Sequence, residues 1–199
     1  DPTMTSSDNA TGARDALNLR LKAIKLVVFD VDGVLTDGRL YYSAQGEALK
    51  VFNVKDGVGI KLLHDCQVQV AIMTAKDSPM VAQRMADLGI KHYFAGVKDK
   101  RFQLDALATQ EALAPAQLCF VGDDMVDLPA MSLAGVGICP ADAYSLVRQA
   151  ADLVTPMDGG QGVARFVCDL ILMAQGKYDH AYAQAMTPQF EKNRTGTPQ

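Results

Sequence analysis

The chain has 199 residues, 49% hydrophobic and 21% charged, enough to bury a sizeable core in one compact domain without disulfides. Its formal net charge of −4 and pI near 5.3 give no general attraction to nucleic acid or to an anionic membrane surface. The sequence lacks an uninterrupted apolar run long enough to span a bilayer and lacks an apolar leader near its start, so no membrane association and a cytoplasmic protein are expected.

The first 20 residues are rich in Ser, Thr, Asp and Asn at their outset and are expected to be a flexible N-terminal segment. A single folded domain is expected over 21–177, opened by Ile24 to Phe29, a near-continuous β-branched and aromatic run typical of a strand covered on both faces. That run leads into Asp30-Val31-Asp32-Gly33-Val34-Leu35-Thr36-Asp37-Gly38. Successive strand residues point to opposite faces, but Gly33 can bend the chain just after Asp32 and let both aspartates approach one ligand. An ordinary turn uses the same residues, so this pair alone does not define a site.

Residues 38–55 read as a hairpin, with strands at Leu40 to Ser43 and Glu47 to Val54 around a turn carrying Gly46. Helical spacing follows at Val58 to Leu63, then a strand at Val68 to Met73 that ends on Thr74. The Thr74 hydroxyl is placed to bond a phosphate oxygen, or to sit near an ordinary helix start formed with Asp77 and Ser78. A helix is expected over Met80 to Leu88, and Lys100 lies just before another at Arg101 to Leu113. A lysine there can neutralise a carboxylate and a transferring phosphoryl group, or be a solvated surface charge.

Leu118 to Val121 forms the next strand and runs into Gly122-Asp123-Asp124-Met125-Val126-Asp127. This second acidic cluster suits a hard cation, and equally an acidic turn with a helix cap. A helix at Leu128 to Leu133, strands at Val136 to Cys139 and Leu153 to Val154, and a helix at Val163 to Ala174 complete the pattern, leaving residues 178–199 as a tail. Alternation of strands and helices predicts an α/β fold, a doubly wound Rossmann-like parallel sheet with helices on both faces. Cys66, Cys119, Cys139 and Cys168 have no metal-ligand spacing and are expected as free thiols in a reducing compartment. His64, His92 and His180 are isolated and suggest no metal site.

Taken in order, the D-x-D-G motif, the strand-end threonine, the lysine and G-D-D-x-x-D resemble the haloacid dehalogenase-like superfamily of phosphohydrolases. The resemblance implies an enzyme with Asp30 as covalent nucleophile, Asp32 as general acid and base, and Thr74 and Lys100 holding the phosphate. It also implies Mg²⁺ bound at Asp30, Asp32 and Asp123, supported by Asp124 and by Asp127, which would orient Lys100 or a metal-bound water. About 20 residues of hairpin separate Gly38 from Gly57, and 25 residues separate Thr74 from Lys100, so no cap domain is expected.

Within that superfamily, Asp30 to Gly38, Phe52 to Ile60, Gly122 to Asp127 and Gly159 to Lys177 look like the capless, tetrameric 3-deoxy-D-manno-octulosonate 8-phosphate phosphatase family. The likeness runs from about residue 22 to 177. It implies a small sugar-acid phosphate as substrate, bound by Asp32, Asn53, Val54, Lys55, Asp56, Gly57, Lys61, Lys76, Arg84 and Lys100. It also implies a homotetramer in which the segment from Gly176 to Phe190 folds over a neighbouring site. Lys55, Lys61 and Lys76 stand where the family usually has arginine, and a lysine cannot reproduce a bidentate guanidinium grip. A nine-carbon ulosonate 9-phosphate as substrate, and a non-catalytic tetramerisation domain, remain alternatives.

Overall fold

The computed structural model describes residues 6–192. Its centre is strand β1 (Leu26–Phe29), all four residues of which are buried. β4 (Gln69–Met73) pairs on one side of it and β6 (Leu118–Val121) on the other, both parallel, so that Phe29 is level with Ile72 and Val121. With β5 (His92–Phe94), β7 (Val136–Cys139) and β8 (Leu153–Val154) added, the order is β5-β4-β1-β6-β7-β8, parallel throughout. The chain therefore winds outward from β1 in both directions, and the switch point lies at the C-terminal ends of β1, β4 and β6, where open α/β sheets bind ligands.

The period-2 alternation of these strands divides the core into two layers. Val27, Phe29, Val70, Ile72, Cys119 and Val121 face one layer, which is closed by α2 (Val54–Asp65), α3 (Pro79–Asp87) and α7 (Val163–Ala174). Leu26, Val28, Ala71, Met73, Leu118 and Phe120 face the other, closed by α4 (Lys100–Gln110), α5 (Leu128–Leu133) and α6 (Ser145–Ala150). The expected doubly wound sheet with helices on both faces is what forms. No helix among the described residues is long and apolar enough to cross a membrane. All four cysteines are free, Cys119, Cys139 and Cys168 are buried, and burial holds these three thiols above their ordinary range.

Several boundaries differ from the sequence reading. The stretch expected to be flexible carries helix α1 (Ser6–Lys22), pinned at its end by buried Leu21 and by Arg20, whose Nη1 donates to Asp152 Oδ1 at 2.9 Å. Residues 1–5 lie outside those described. The hairpin is shorter than expected: β2 (Tyr41–Ser43) and β3 (Gly46–Leu49) pair antiparallel, and α2 already starts at Val54. Asn53 ends the extended run by accepting a hydrogen bond from Lys55 N at 2.9 Å, the capping geometry that starts a helix. Strand β5 was not foreseen, because three half-buried residues at a sheet edge carry no strong period.

The tail is also folded as far as residue 192, with α8 (Tyr178–Ala185) and α9 (Pro188–Lys192) lying against the same chain. Ala181 and Phe190 join the core layer under α2 and α7, and the Lys61 ammonium sits 5.0 Å from the centre of the Phe190 ring. The hairpin is the one insertion between β1 and α2 among the described residues, and no cap is present there.

Candidate active site

Asp30 follows the last residue of β1 and continues its ladder, its N–H donating to Val121 O at 3.0 Å. Its carboxylate turns back to accept from Val31 N at 2.8 Å. Three residues on, Gly33 has φ +86°, a left-handed conformation that costs a glycine little, and the chain folds over on itself. Thr36 closes the turn, its N–H donating to Val31 O at 3.1 Å and its hydroxyl accepting from Gly33 N and Gly38 N. Gly33 is also required for space, since a Cβ there would overlap the Asp123 carboxylate.

Lys100, the first residue of α4, is 4% exposed and crosses to the end of the sheet. Its Nζ donates to Asp127 Oδ1 at 2.7 Å and lies 3.0 Å from Asp30 Oδ1. Asp127 is fully buried, and its second oxygen accepts from Asp123 N at 2.9 Å and Asp124 N at 3.2 Å. It thus holds both the lysine and the loop that carries Asp123. Gly122 makes this possible, because any side chain there would occupy the place of Asp127. Thr74 is 2% exposed at the end of β4, its backbone tied to Phe94 O and Val97 N at 3.0 Å each.

Asp30, Asp123 and Asp127 each present an oxygen within 4.8 Å of the others. Three carboxylates around one ammonium leave the cluster anionic, and an all-oxygen donor set of this kind fits a hard divalent cation such as Mg²⁺. The electrostatics agree. Burial first, then the Asp127 charge, hold Asp30 above the ordinary carboxylate range in spite of Lys100. Burial and the Asp30 charge do the same to Asp123. Burial works against the Lys100 charge, yet Asp30 and Asp127 outweigh it and keep the ammonium above its ordinary value.

Asp32 stands apart from this cluster. Its side chain is 30% exposed and its Oδ1 pairs with Lys50 Nζ at 2.8 Å, so the carboxylate that completes the cluster is Asp127 rather than Asp32. Asp124 is exposed and caps the turn after it, accepting from Met125 N at 2.7 Å.

Among the residues expected to bind substrate, Val54, Lys55 and Lys76 are exposed, Gly57 is buried, and Asn53 donates to Gly160 O at 3.3 Å. Lys61 pairs with Asp65 at 3.1 Å besides covering Phe190, and the Arg84 guanidinium lies 5.8 Å from the centre of the Phe52 ring. Asp56 is 4% exposed and turns inward, accepting from Arg165 N at 3.0 Å in the first turn of α7. It anchors the first turn of α2 to that of α7. Arg165 secures the same turn from α7, with Nη1 donating to Lys55 O at 3.2 Å and Nε to Tyr182 Oη at 2.7 Å. Lys50 and Arg165 escaped the sequence reading. Lys50 follows a hairpin strand three positions after Glu47, a spacing shared with countless solvated pairs, and nothing local marks Arg165 as a partner of residues 109 and 110 positions away.

A family of haloacid dehalogenase-like hydrolases matches residues 96–167. The 3-deoxy-D-manno-octulosonate 8-phosphate phosphatase of Haemophilus influenzae is 48% identical over 158 residues, 79% of this chain and 88% of that protein. The cobalt-bound structure of a deoxy-D-mannose-octulosonate 8-phosphate phosphatase from the same organism superposes with a TM-score of 0.79 at 44% identity, over 82% of this chain and 99% of that one. The Moraxella catarrhalis 3-deoxy-D-manno-octulosonate 8-phosphate phosphatase, in complex with magnesium ion, phosphate ion and a KDO molecule, superposes with a TM-score of 0.83 at 36% identity, over 86% of this chain and 99% of that one.

Burial pushes Asp56 up from 3.8 to about 6. A raised acid binds its proton more tightly when folded, so its protonation contributes stability at low pH that is lost as the pH rises through the folded value. The unfolding free energy of the wild type relative to Asp56→Asn should therefore fall as the pH is raised from about 4 to about 6, measured by urea denaturation of both proteins. A pH-independent difference would contradict this placement of the carboxyl.

Proposed function

The chain belongs to the 3-deoxy-D-manno-octulosonate 8-phosphate phosphatase family, and on that premise we propose that it hydrolyses 3-deoxy-D-manno-octulosonate 8-phosphate to the free sugar acid and phosphate through a phosphorylated Asp30. The observation that carries this reading is the buried Lys100 held between Asp30 and Asp127. A surface lysine has no reason to pay for desolvation at the end of a sheet, whereas a phosphoryl-transfer site needs a fixed positive charge there.

Asp30 attacks phosphorus and forms an acyl phosphate as the bond to the sugar oxygen breaks. Asp32 gives its proton to that departing oxygen. It then takes one from the water that opens the acyl phosphate and returns Asp30 to its carboxylate. Lys100 and Thr74 hold the transferring phosphoryl oxygens, and Asp127 holds Lys100. Mg²⁺, bound by Asp30 and Asp123 with Asp127 behind them, would offset the repulsion between an anionic nucleophile and an anionic phosphate. Asp32 would contribute to that site by the position of its loop, since its carboxylate is engaged by Lys50.

Lys55, Lys61, Lys76 and Arg84 are the cations we assign to the phosphate and carboxylate ends of the substrate, with Asn53, Val54, Asp56 and Gly57 shaping the start of α2 beside them. We further propose a cytoplasmic homotetramer assembled through the hairpin. Leu40, Tyr42, Leu49 and Val51 are exposed on or beside it, and its two strands have no third to pair with among the described residues.

Asp30→Asn should retain the fold and lower kcat on the sugar-acid phosphate by at least about 10³-fold, because the nucleophile itself is gone. Phosphate release at the wild-type rate would remove Asp30 from the chemistry. A second outcome follows from the raised Asp30 and Asp123, which must lose protons to take a cation. Mg²⁺ should bind more tightly as the pH rises through about 6 to about 8 and release protons on binding, read by isothermal titration in buffers of different ionisation enthalpy. Affinity independent of pH over that range would argue against a site built on these carboxylates.

A further inference from the structure

Lys50 carries a buried side chain beside a largely exposed hairpin. Its side chain is 2% exposed, whereas Tyr42, Leu49 and Val51 around it are 69%, 46% and 53% exposed. A lysine normally lets its ammonium reach water, so a hairpin that hides one is using it. The ammonium lies 2.8 Å from Asp32 Oδ1 and 2.6 Å from Glu47 Oε1. Burial opposes its charge, and the two carboxylates outweigh burial and keep it above its ordinary value. With two acids around one base the trio is anionic, so it would repel a phosphate rather than grip it. Lys50 is therefore unlike the exposed lysines at 55 and 76.

We infer that Lys50, steadied by Glu47, is a positioning residue for Asp32, an ion pair reaching from the hairpin that holds the proton-transferring carboxylate in place. The inference rests on the reading of Asp32 as the proton donor to the departing oxygen. Asp32 is 30% exposed and lies immediately before the bend at Gly33. Its backbone is fixed by that bend, but a half-exposed carboxylate has rotamers to choose from. A charge-assisted hydrogen bond from a buried, immobile ammonium selects one of them. The arrangement also couples the hairpin to the chemistry, since Glu47 and Lys50 travel with β3 and Asp32 with β1.

A proton donor matters in proportion to how poor the leaving group is, and this separates positioning from general support of the fold. Turnover with Mg²⁺ would be measured for wild type, Lys50→Met, Lys50→Arg, Glu47→Gln, Asp32→Asn and the Lys50→Met/Asp32→Asn double variant. Two substrates are compared, 3-deoxy-D-manno-octulosonate 8-phosphate, whose alkoxide leaves badly, and 4-nitrophenyl phosphate, whose phenolate leaves well. Lys50→Met should lower kcat on the sugar ester by at least about 10-fold and on the nitrophenyl ester by less than about 3-fold, with KM little changed. Lys50→Arg should recover most of the loss. In the Asp32→Asn background, Lys50→Met should cost less than about 2-fold more, because the group it positions has been disabled.

Equal losses on both esters, an effect confined to KM, or additivity with Asp32→Asn would overturn the inference while leaving the phosphatase reading intact. If the wild type hydrolyses neither ester, both fall. Should thermal melting show Lys50→Met unfolded, Glu47→Gln decides, since it keeps the ammonium and removes its brace. A leaving-group-dependent loss in that variant supports the inference, and wild-type kinetics overturn it.

Discussion

The site turns on one buried ammonium. Lys100 lies between Asp30 and Asp127 at 3.0 and 2.7 Å, and without it two carboxylates would face each other at the end of the sheet with nothing to compensate them. Removing one member of a buried charge pair costs far more than an exposed one, because the partner is left desolvated. The lysine nevertheless does not neutralise the cluster, which still includes Asp123. That remaining negative charge, in an all-oxygen environment, is what makes a divalent cation the natural complement of the site.

The fold provides for this arrangement in two ways. Parallel pairing in register places the ends of β1, β4 and β6 side by side, so Asp30 and Gly122 emerge at one level and Thr74 one residue beyond it, although they are far apart in sequence. The glycines then admit what a side chain would exclude, Gly33 letting Asp123 come close and Gly122 letting Asp127 pass beneath the loop. Around this rigid centre the neighbouring parts are tied by longer connections, Asp56 and Arg165 between α2 and α7, and Lys50 between the hairpin and Asp32.

Much of this was legible from residue type and order. Short apolar runs that end in Asp, Thr or Gly-Asp mark strands delivering polar groups to one edge, which is why the sheet, the helices on both faces and the convergence of Asp30, Lys100 and Asp123 could be read in advance. Asp127 was expected behind the metal site, orienting Lys100 or a metal-bound water; its carboxylate lies beside Asp30 and Asp123, while that of Asp32 pairs with Lys50. The difference is physical: Asp32 found a cation of its own, and Lys50 is marked by nothing in its local sequence. Helices α1, α8 and α9 escaped because polar composition says little when a few residues such as Leu21, Ala181 and Phe190 do the anchoring. The inward turn of Asp56 could not be read at all, since its partner Arg165 lies 109 positions away.

The central claim is that Asp30 receives a phosphoryl group beside a cation shared with Asp123 while Lys100 stays in place. A crystal structure of the protein with Mg²⁺ and beryllium trifluoride, which mimics a phosphoryl group on a carboxylate, tests it most directly. The account predicts the trifluoride bonded to Asp30, the ion between Asp30 and Asp123, and Lys100 still spanning Asp30 and Asp127. A trifluoride seated on another side chain, or an ion that leaves Asp123 untouched, would contradict it.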